Sequence, residues 1–366
     1  MPELWIPYGG VETLITIQAE NLGAVAEPPL DGATVDVERS AELAKGSASV
    51  FVCDAVPPTL QVLKGMVPLL GEAQGISFYS PAPKPVEVAV PELKGKITTL
   101  PPPVPAGEGE DTVYAPELTS AGAKLFIGTA RPDPLFGLID ARVEACLSWV
   151  ARSRAAAARS RKEMEPSPFQ KTAAYDVIEG LARGIPEPKF MTVIPRGGKP
   201  RVILEDAPFD AVKNSFPKVQ MQQGRGLVVG AGGQGYGDTL SSALRGVWNV
   251  VEGARKSGAI LLVAECADGV GSTALEMLVT GRLAEAERRR DRYTEGIEEV
   301  HYLNKLKDEY DVLLLSGLPD TYARSKLGLA TARGSGEAVG RLLNKVGRSG
   351  KVNVVPRAGE CQVELG

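Results

Sequence analysis

Gly230, Gly232, Gly233 and Gly235 follow an apolar strand and spell G-x-G-x-x-G. Such a turn lets a backbone approach an anionic group and aims its amides at it. Asp238 follows as an expected N-cap of the next helix. In "GAILLVAECADGVGS" a second buried strand ends at Glu265, Cys266 and Asp268, where an α/β sheet could present a ligand site at its switch point. A turn held by carboxylate–amide hydrogen bonds explains those residues equally well. As a dinucleotide fingerprint the first motif is imperfect. Tyr236 and Gly237 separate it from the helix, and Glu265 is too far along for the acidic residue expected about 20 positions on. Asp54 follows a strand and precedes a helix, which suits a cap or a ligand contact.

The elements that must position these residues alternate. "LWIPYGGVETLITI" reads as a hairpin around Gly9-Gly10. Ser47–Cys53 is a short apolar strand. The next stretch puts Leu60, Leu63, Val67 and Leu70 on one helical stripe, and "ISFYS" is another strand. This β-α-β order predicts a parallel sheet. From Pro81 to Pro105 the prolines predict an extended surface connection. Ala123–Gly128 is a further strand, and a long helix is expected from Leu138 to Glu165. That helix carries Arg142, Arg152, Arg154, Arg159 and Arg161, as a solvated face or as a basic arm for nucleic acid or a protein partner. "FMTVIP" and "RVILED" pair around Arg196–Lys199. After the polar stretch Asn214–Gln223, strands and helices alternate to the end. The expected class is α/β, with an N-terminal domain over 1–218 and a doubly wound C-terminal domain over 219–366.

Composition narrows the function. The formal charge of −4 disfavours a general nucleic-acid binder. No apolar run reaches the ~20 residues of a membrane span, and "MPELWIPYGG" does not read as a signal peptide, so a cytoplasmic protein is expected. The four cysteines are dispersed without a C-x-x-C pair, which predicts buried thiols rather than a zinc site. The single histidine, His301, lies beside Glu298 and Glu299 and lacks the usual ligand partners, so a structural role is expected.

Five segments, in order from Pro7 to Ser272, resemble the nickel-pincer lactate racemase family. "PYG…ENLGAVAEP" is similar to its opening hairpin, and "VFVCDAVPPT" to a strand followed by D-x-T-R-P. "YAPELTSAGAKLFIGTARPDPLFG" is similar to the segment that carries E-P-H. "GAGGQGYGDTLSSALRGV" resembles G-G-x-P-x-D with its helix, and "GAILLVAECADGVGS" resembles A-E-C-x-x-G-x-G. The resemblance implies two α/β domains with parallel and mixed sheets flanked by helices, and a cleft between them. It also implies a lysine-anchored nickel-pincer nucleotide, a histidine ligand, and further histidines as acid and base. Imidazole suits both tasks.

The chain departs from that pattern where the chemistry lies. Val56 and Pro57 replace the threonine and arginine, removing a bidentate carboxylate clamp. Asp133 replaces the histidine of E-P-H. The region that should hold the anchoring lysine is the Ala/Arg stretch, whose first lysine is Lys162. Family glutamine and lysine positions fall on Ser242 and Arg245 with one gap, or on Ala243 and Gly246 without it. Arginine holds a carboxylate but serves poorly as a base, its pKa exceeding ~12. Asp54, Gly232, Gly233, Asp238, Glu265, Cys266, Gly269 and Gly271 survive. The expectation is a divergent paralogue with no cofactor and no metal. It would bind a small anionic metabolite through Asp54, Arg131, Asp133, Gly232, Gly233, Asp238, Ser242, Arg245, Glu265 and Asp268. A hydroxy-acid racemase or epimerase with altered groups and a nicotinamide-dependent oxidoreductase are the alternatives.

Overall fold

The computed structural model describes residues 2–26, 35–70, 75–100, 114–146, 149–158, 169–284 and 293–366. They form two compact units, one from 2–26 with 217–366, the other from 35–158 with 169–216.

The chain begins in the C-terminal unit, although its order along the sequence suggests the N-terminal one. β1 (Glu3–Tyr8) and β2 (Val11–Thr16) pair antiparallel with Tyr8 opposite Val11, so Gly9-Gly10 is the loop. Gly9 has φ 59°, which favours glycine. Alternation turns Ile6 and Ile15 inward onto Val228, Leu261 and Val354 of the C-terminal sheet. β3 (Leu22–Val25) joins that sheet beside its last central strand. The apolar face of the hairpin, too small to form a core alone, draws the first residues across the expected boundary.

In the N-terminal unit, α1 (Val37–Lys45) is capped by Asp36, whose side chain accepts from the Arg39 amide. β4 (Ser49–Val52), α2 (Pro57–Leu70) and β5 (Ser77–Ser80) form the expected parallel crossover. The proline segment differs from its extended expectation. It holds a short helix, α3 (Pro83–Ala89), and an edge strand, β6 (Ile97–Thr99), because proline is tolerated in a first helical turn. Residues 101–105 lie outside the described residues. After α4 (Pro116–Thr119) come β7 (Lys124–Thr129), β8 (Arg131–Asp133) and β9 (Gly137–Ile139).

The long arginine helix does not form as expected. Gly137 (φ 82°) and the β9 strand precede Asp140, which caps the short α5 (Ala141–Ala145) by accepting from the Arg142 and Val143 amides. Arg142 is buried, donates to the Ala207 carbonyl at 3.1 Å, and stacks on Phe190. The cap at Asp140 sets the start of α5, the chain leaves the helix at Cys146 (φ −95°, ψ 58°), and the alanine run Ala155–Ala158 is helical in α6, as its propensity expects. α6 (Trp149–Ala158) carries Arg152 and Arg154, whereas Arg159 and Arg161 lie outside the described residues. α7 (Ala173–Ala182), β10 (Pro188–Arg196), β11 (Lys199–Glu205) and α8 (Phe209–Ser215) complete the unit.

Its sheet runs β11-β10-β7-β4-β5-β6, parallel except at the β10–β11 hairpin. One face packs Val50, Val52, Leu125, Ile127, Met191 and Val193 with Leu63 and Met66 of α2. On the other, register aligns Tyr79, Phe51, Phe126 and Phe190 across four strands, with ring centroids 4.9, 4.7 and 5.5 Å apart.

The C-terminal unit continues with β12 (Lys218–Met221), β13 (Gly224–Gly230), α9 (Leu240–Val250), β14 (Ala254–Val263) and α10 (Thr273–Val279). The helix Ile297–Glu309, β15 (Asp311–Leu315), β16 (Ala330–Thr331), the helix Ser335–Val346, β17 (Val352–Val355) and β18 (Gln362–Leu365) follow. Its main sheet is all parallel, ordered β16-β15-β14-β13-β17-β3. Leu227, Val229, Ile260 and Leu262 face Leu244, Trp248 and Leu303. The other face takes Leu342 of the Ser335–Val346 helix and the hairpin. The strand order reverses beside β13, so the switch point lies between β13 and β17, and the turn after β14 is one strand removed from it.

Candidate functional site

Around β13, β14 and β17 the loops at the carboxyl ends of the strands are packed onto one another. A Cβ on Gly230 would lie 2.2 Å from the Pro356 carbonyl oxygen and 2.5 Å from Ile6 Cγ2. The close approach that glycine permits there is used by this chain's own backbone. Gly232 and Gly233 have φ 122° and 86°, and the Gly233 carbonyl accepts from the Gly237 amide at 2.8 Å. Asp238 accepts from the Gly235 amide at 2.8 Å, closing the turn upon itself. The cap expected of Asp238 belongs instead to Thr239, which forms a reciprocal capping box with Ser242. Ser242 is therefore a structural hydroxyl.

The two glycine-rich turns are stitched together. Cys266 donates its amide to the Gly237 carbonyl and Asp268 donates to that of Asp238, both at 2.8 Å. Cys266 has φ 51°, a strained conformation for a side-chain-bearing residue. Glu265 packs so tightly against the hairpin tip that a Cβ on Gly9 would fall 1.6 Å from its Oε2. Burial lifts the Asp238 carboxyl above the ordinary carboxylate range; the charges of Asp268 and Glu265 push the same way, while the Gly235 amide opposes. The Cys266 thiol is pushed up to about 12 by burial, then by Asp238 and Glu265. Burial, followed by Cys266 and Glu265, also raises Tyr8. This rim is electronegative, which opposes a pyrophosphate in the glycine turn.

Arg245 is engaged by a buried carboxylate. Its Nη2 donates to Glu299 Oε1 at 3.1 Å, and Ser241 Oγ donates to the same oxygen at 2.6 Å. Glu299 is buried, and its carboxyl is raised by desolvation despite Arg245 and the hydroxyls. Arg245 is therefore a structural partner of a buried charge. A residue outside every sequence motif stands at the switch point: Arg357 Nη1 donates to the Gly232 carbonyl at 3.3 Å and pairs with Glu360 at 3.7 Å. Its place directly after the β17 strand is the one sequence signal for it. His301 is exposed on the Ile297–Glu309 helix.

The N-terminal unit gathers a second group. Asp54 is buried; its Oδ2 accepts from the Thr129 amide at 2.6 Å and its Oδ1 from Val56 at 3.3 Å. Desolvation raises the Asp54 carboxyl, and Arg131 is the largest opposing influence. Arg131 Nη2 is bonded to Glu144 Oε1. Asp133 accepts from the Leu135 and Phe136 amides at 2.8 and 3.0 Å, forming the turn between β8 and β9. It therefore does turn work in the place where the resemblance puts a histidine.

Arg196 ends β10, the neighbour of β7, and is 9% exposed. Among the described residues its Nε has no hydrogen-bond partner. The sequence gives it only as the first residue of a turn. Because β7 and β10 run parallel with Val193 opposite Thr129, Arg131 and Arg196 leave neighbouring strands at the same end. Among the described residues no group of three His, Cys, Asp or Glu could hold a metal ion. None of the helices described is long and apolar enough to cross a membrane.

This architecture is a known one. The lactate racemase apoprotein from Thermoanaerobacterium thermosaccharolyticum matches with a TM-score of 0.71 at 15% identity, over 99% of this chain and 100% of that one. A protein from Thermotoga maritima matches with a TM-score of 0.63 at 14% identity, over 92% of this chain and 100% of the other. No family model and no curated protein sequence matches. The chain has the α/β fold of the lactate racemase apoprotein, as its five motifs led one to expect.

Proposed function

We propose that this chain is a binding protein for a small anionic metabolite, built on the lactate-racemase fold and carrying out no nickel-pincer hydride chemistry. The observation that carries the reading is Arg196, a buried residue with an unused Nε at the carboxyl end of β10, the strand parallel to the one that leads to Arg131. A guanidinium in that state favours a carboxylate or phosphate oxygen as its missing partner.

The residues present do not fit a nickel-pincer group. The one imidazole is exposed on a helix, and Asp133, in the place of a family histidine, is committed to a turn. The Cys53 and Cys266 thiols are buried and pushed up, which disfavours the thiolate a metal requires. Lys162 lies outside the described residues. A nicotinamide cofactor is also disfavoured, because Asp238, Glu265 and Asp268 crowd the turn that would receive its pyrophosphate.

Thermal-shift and calorimetric titration against small mono- and dicarboxylates tests the binding role, with Arg196→Gln as the paired variant. The expectation is saturable binding by the parent and a loss of at least about tenfold in the variant, the scale of one charge-assisted bond. Equal binding by both refutes the assignment. Nickel content and D/L-lactate interconversion, measured on protein purified from its own host, test the chemistry. Turnover at enzymatic rates would restore the racemase alternative.

A further inference from the structure

The opposite end of the C-terminal sheet carries a feature of the reverse sign. At the amino ends of β3, β13 and β17 lies a cavity of 570 Å³ whose lining includes Arg225, Arg255 and Lys351 and no carboxylate. That volume falls within the range of small-molecule sites. Three like charges share this one concavity in a chain whose formal net charge is −4.

Among the described residues neither Arg225 nor Arg255 forms an ion pair. Lys351 is fixed, its Nζ donating to the Glu20 and Leu22 carbonyls at 2.8 and 3.2 Å, but neutral carbonyls leave its charge uncancelled. The floor is Asn353, 3% exposed. Its Oδ1 accepts from Ala24 at 2.9 Å, and its Nδ2 donates to Gln222 and Gly253 at 2.7 and 3.0 Å. One side chain thus ties the starts of three strands together. Gly23 and Gly224 let the backbone close onto it, since a Cβ on either would lie 2.4 and 3.0 Å from the Asn353 amide. The cations therefore stand on a rigid frame, which lowers the ordering cost of binding.

We propose that this pocket is an oligophosphate site, taking the di- or triphosphate group of a small molecule. A monocarboxylate would offset only one of the three charges. A phosphate chain offers several oxygens to guanidiniums, which hold phosphate through paired donors. The site is separate from the Arg196 region and does not depend on the role proposed for it.

Calorimetric titration of the full chain with inorganic tripolyphosphate is the test, with Arg225→Gln/Arg255→Gln as the variant. Both arginines are exposed, so the variant is expected to keep the parent Tm. The parent should bind one tripolyphosphate, more tightly than orthophosphate, with an affinity that falls as salt rises. The double variant should bind about tenfold or more weakly, and Arg196→Gln should bind as the parent does. The proposal is overturned if the parent shows no binding at about 1 mM tripolyphosphate, or if the double variant matches it. It is equally overturned if Arg196→Gln alone abolishes binding, which would move the anion to the N-terminal unit. Tighter binding of random single-stranded RNA than of tripolyphosphate would also overturn it, in favour of a nucleic-acid surface.

Discussion

Replacing Arg245 by methionine separates a structural arginine from a ligand-binding one. Arg245 keeps 21% of its side chain exposed, but its partner Glu299 keeps only 2%. Removing the guanidinium strands a carboxylate that retains the Ser241 and Ser272 hydroxyls but no opposite charge beside it. Breaking a buried pair from one side costs about 3–5 kcal/mol, and the partial exposure of Arg245 points to the lower end, about 3 kcal/mol. For a unit of this size that lowers Tm by roughly 6–12 °C. The pH dependence carries the sign. Glu299 is raised above its usual range by desolvation, so its favourable contribution is complete below the ordinary value of 4.5 and is lost as pH rises through the folded value. Arg245 now opposes that rise. Without it the folded value climbs further, so the deficit relative to the parent is largest at neutral pH and shrinks toward pH 4.5. Scanning calorimetry of the parent, Arg245→Met, Glu299→Gln and the double variant across pH 4.5–8 measures this directly. The double variant should recover most of the loss. If Arg245→Met is as stable as the parent at pH 7, or its deficit grows on acidification, the pairing argument is wrong.

Three further outcomes follow from packing. Phe126→Ala opens the middle of the four-ring ladder and should cost about 3–5 kcal/mol in urea unfolding; a loss below about 1 kcal/mol would show that the rings add little. Gly230→Ala drives a Cβ into the Pro356 carbonyl and Ile6, and should destabilise by about 1–3 kcal/mol, read from the same transition. All four cysteines are buried, with Cys146, Cys266 and Cys361 pushed up to about 12 chiefly by burial. A thiol reagent at pH 8 should therefore label the native protein far more slowly than the unfolded one; fast labelling of Cys266 would mark its loop as open.

Much of the fold was legible because periodicity and turn chemistry are local. The hairpin at Gly9-Gly10, the crossover from Ser49 to Ser80 and the alternation after Gly224 all followed from apolar spacing and glycine position. The long arginine helix is divided, with α5 ending at Cys146 (φ −95°, ψ 58°) and α6 starting at Trp149, and Arg142 is packed on the Ala207 carbonyl and the Phe190 ring rather than solvated, a burial that spacing cannot announce. The site was legible as residues but not as roles. Asp133, Asp238 and Ser242 are short polar side chains that serve their own backbone as readily as a ligand, and the amides that claim them were visible only in three dimensions.

By itself the sequence determined most strands, the glycine turns and the α/β class, because those depend on contacts within a few residues, whereas the proline segment and the 138–165 stretch took their elements only in the fold. Tertiary structure alone decided which charges are spent and which remain. It placed Glu299 against Arg245 across 54 positions, left Arg196 buried with a donor unused, and set Arg225, Arg255 and Lys351 around one cavity. Charges act through space rather than along the chain, so a guanidinium's meaning is fixed only once folding has chosen its neighbours.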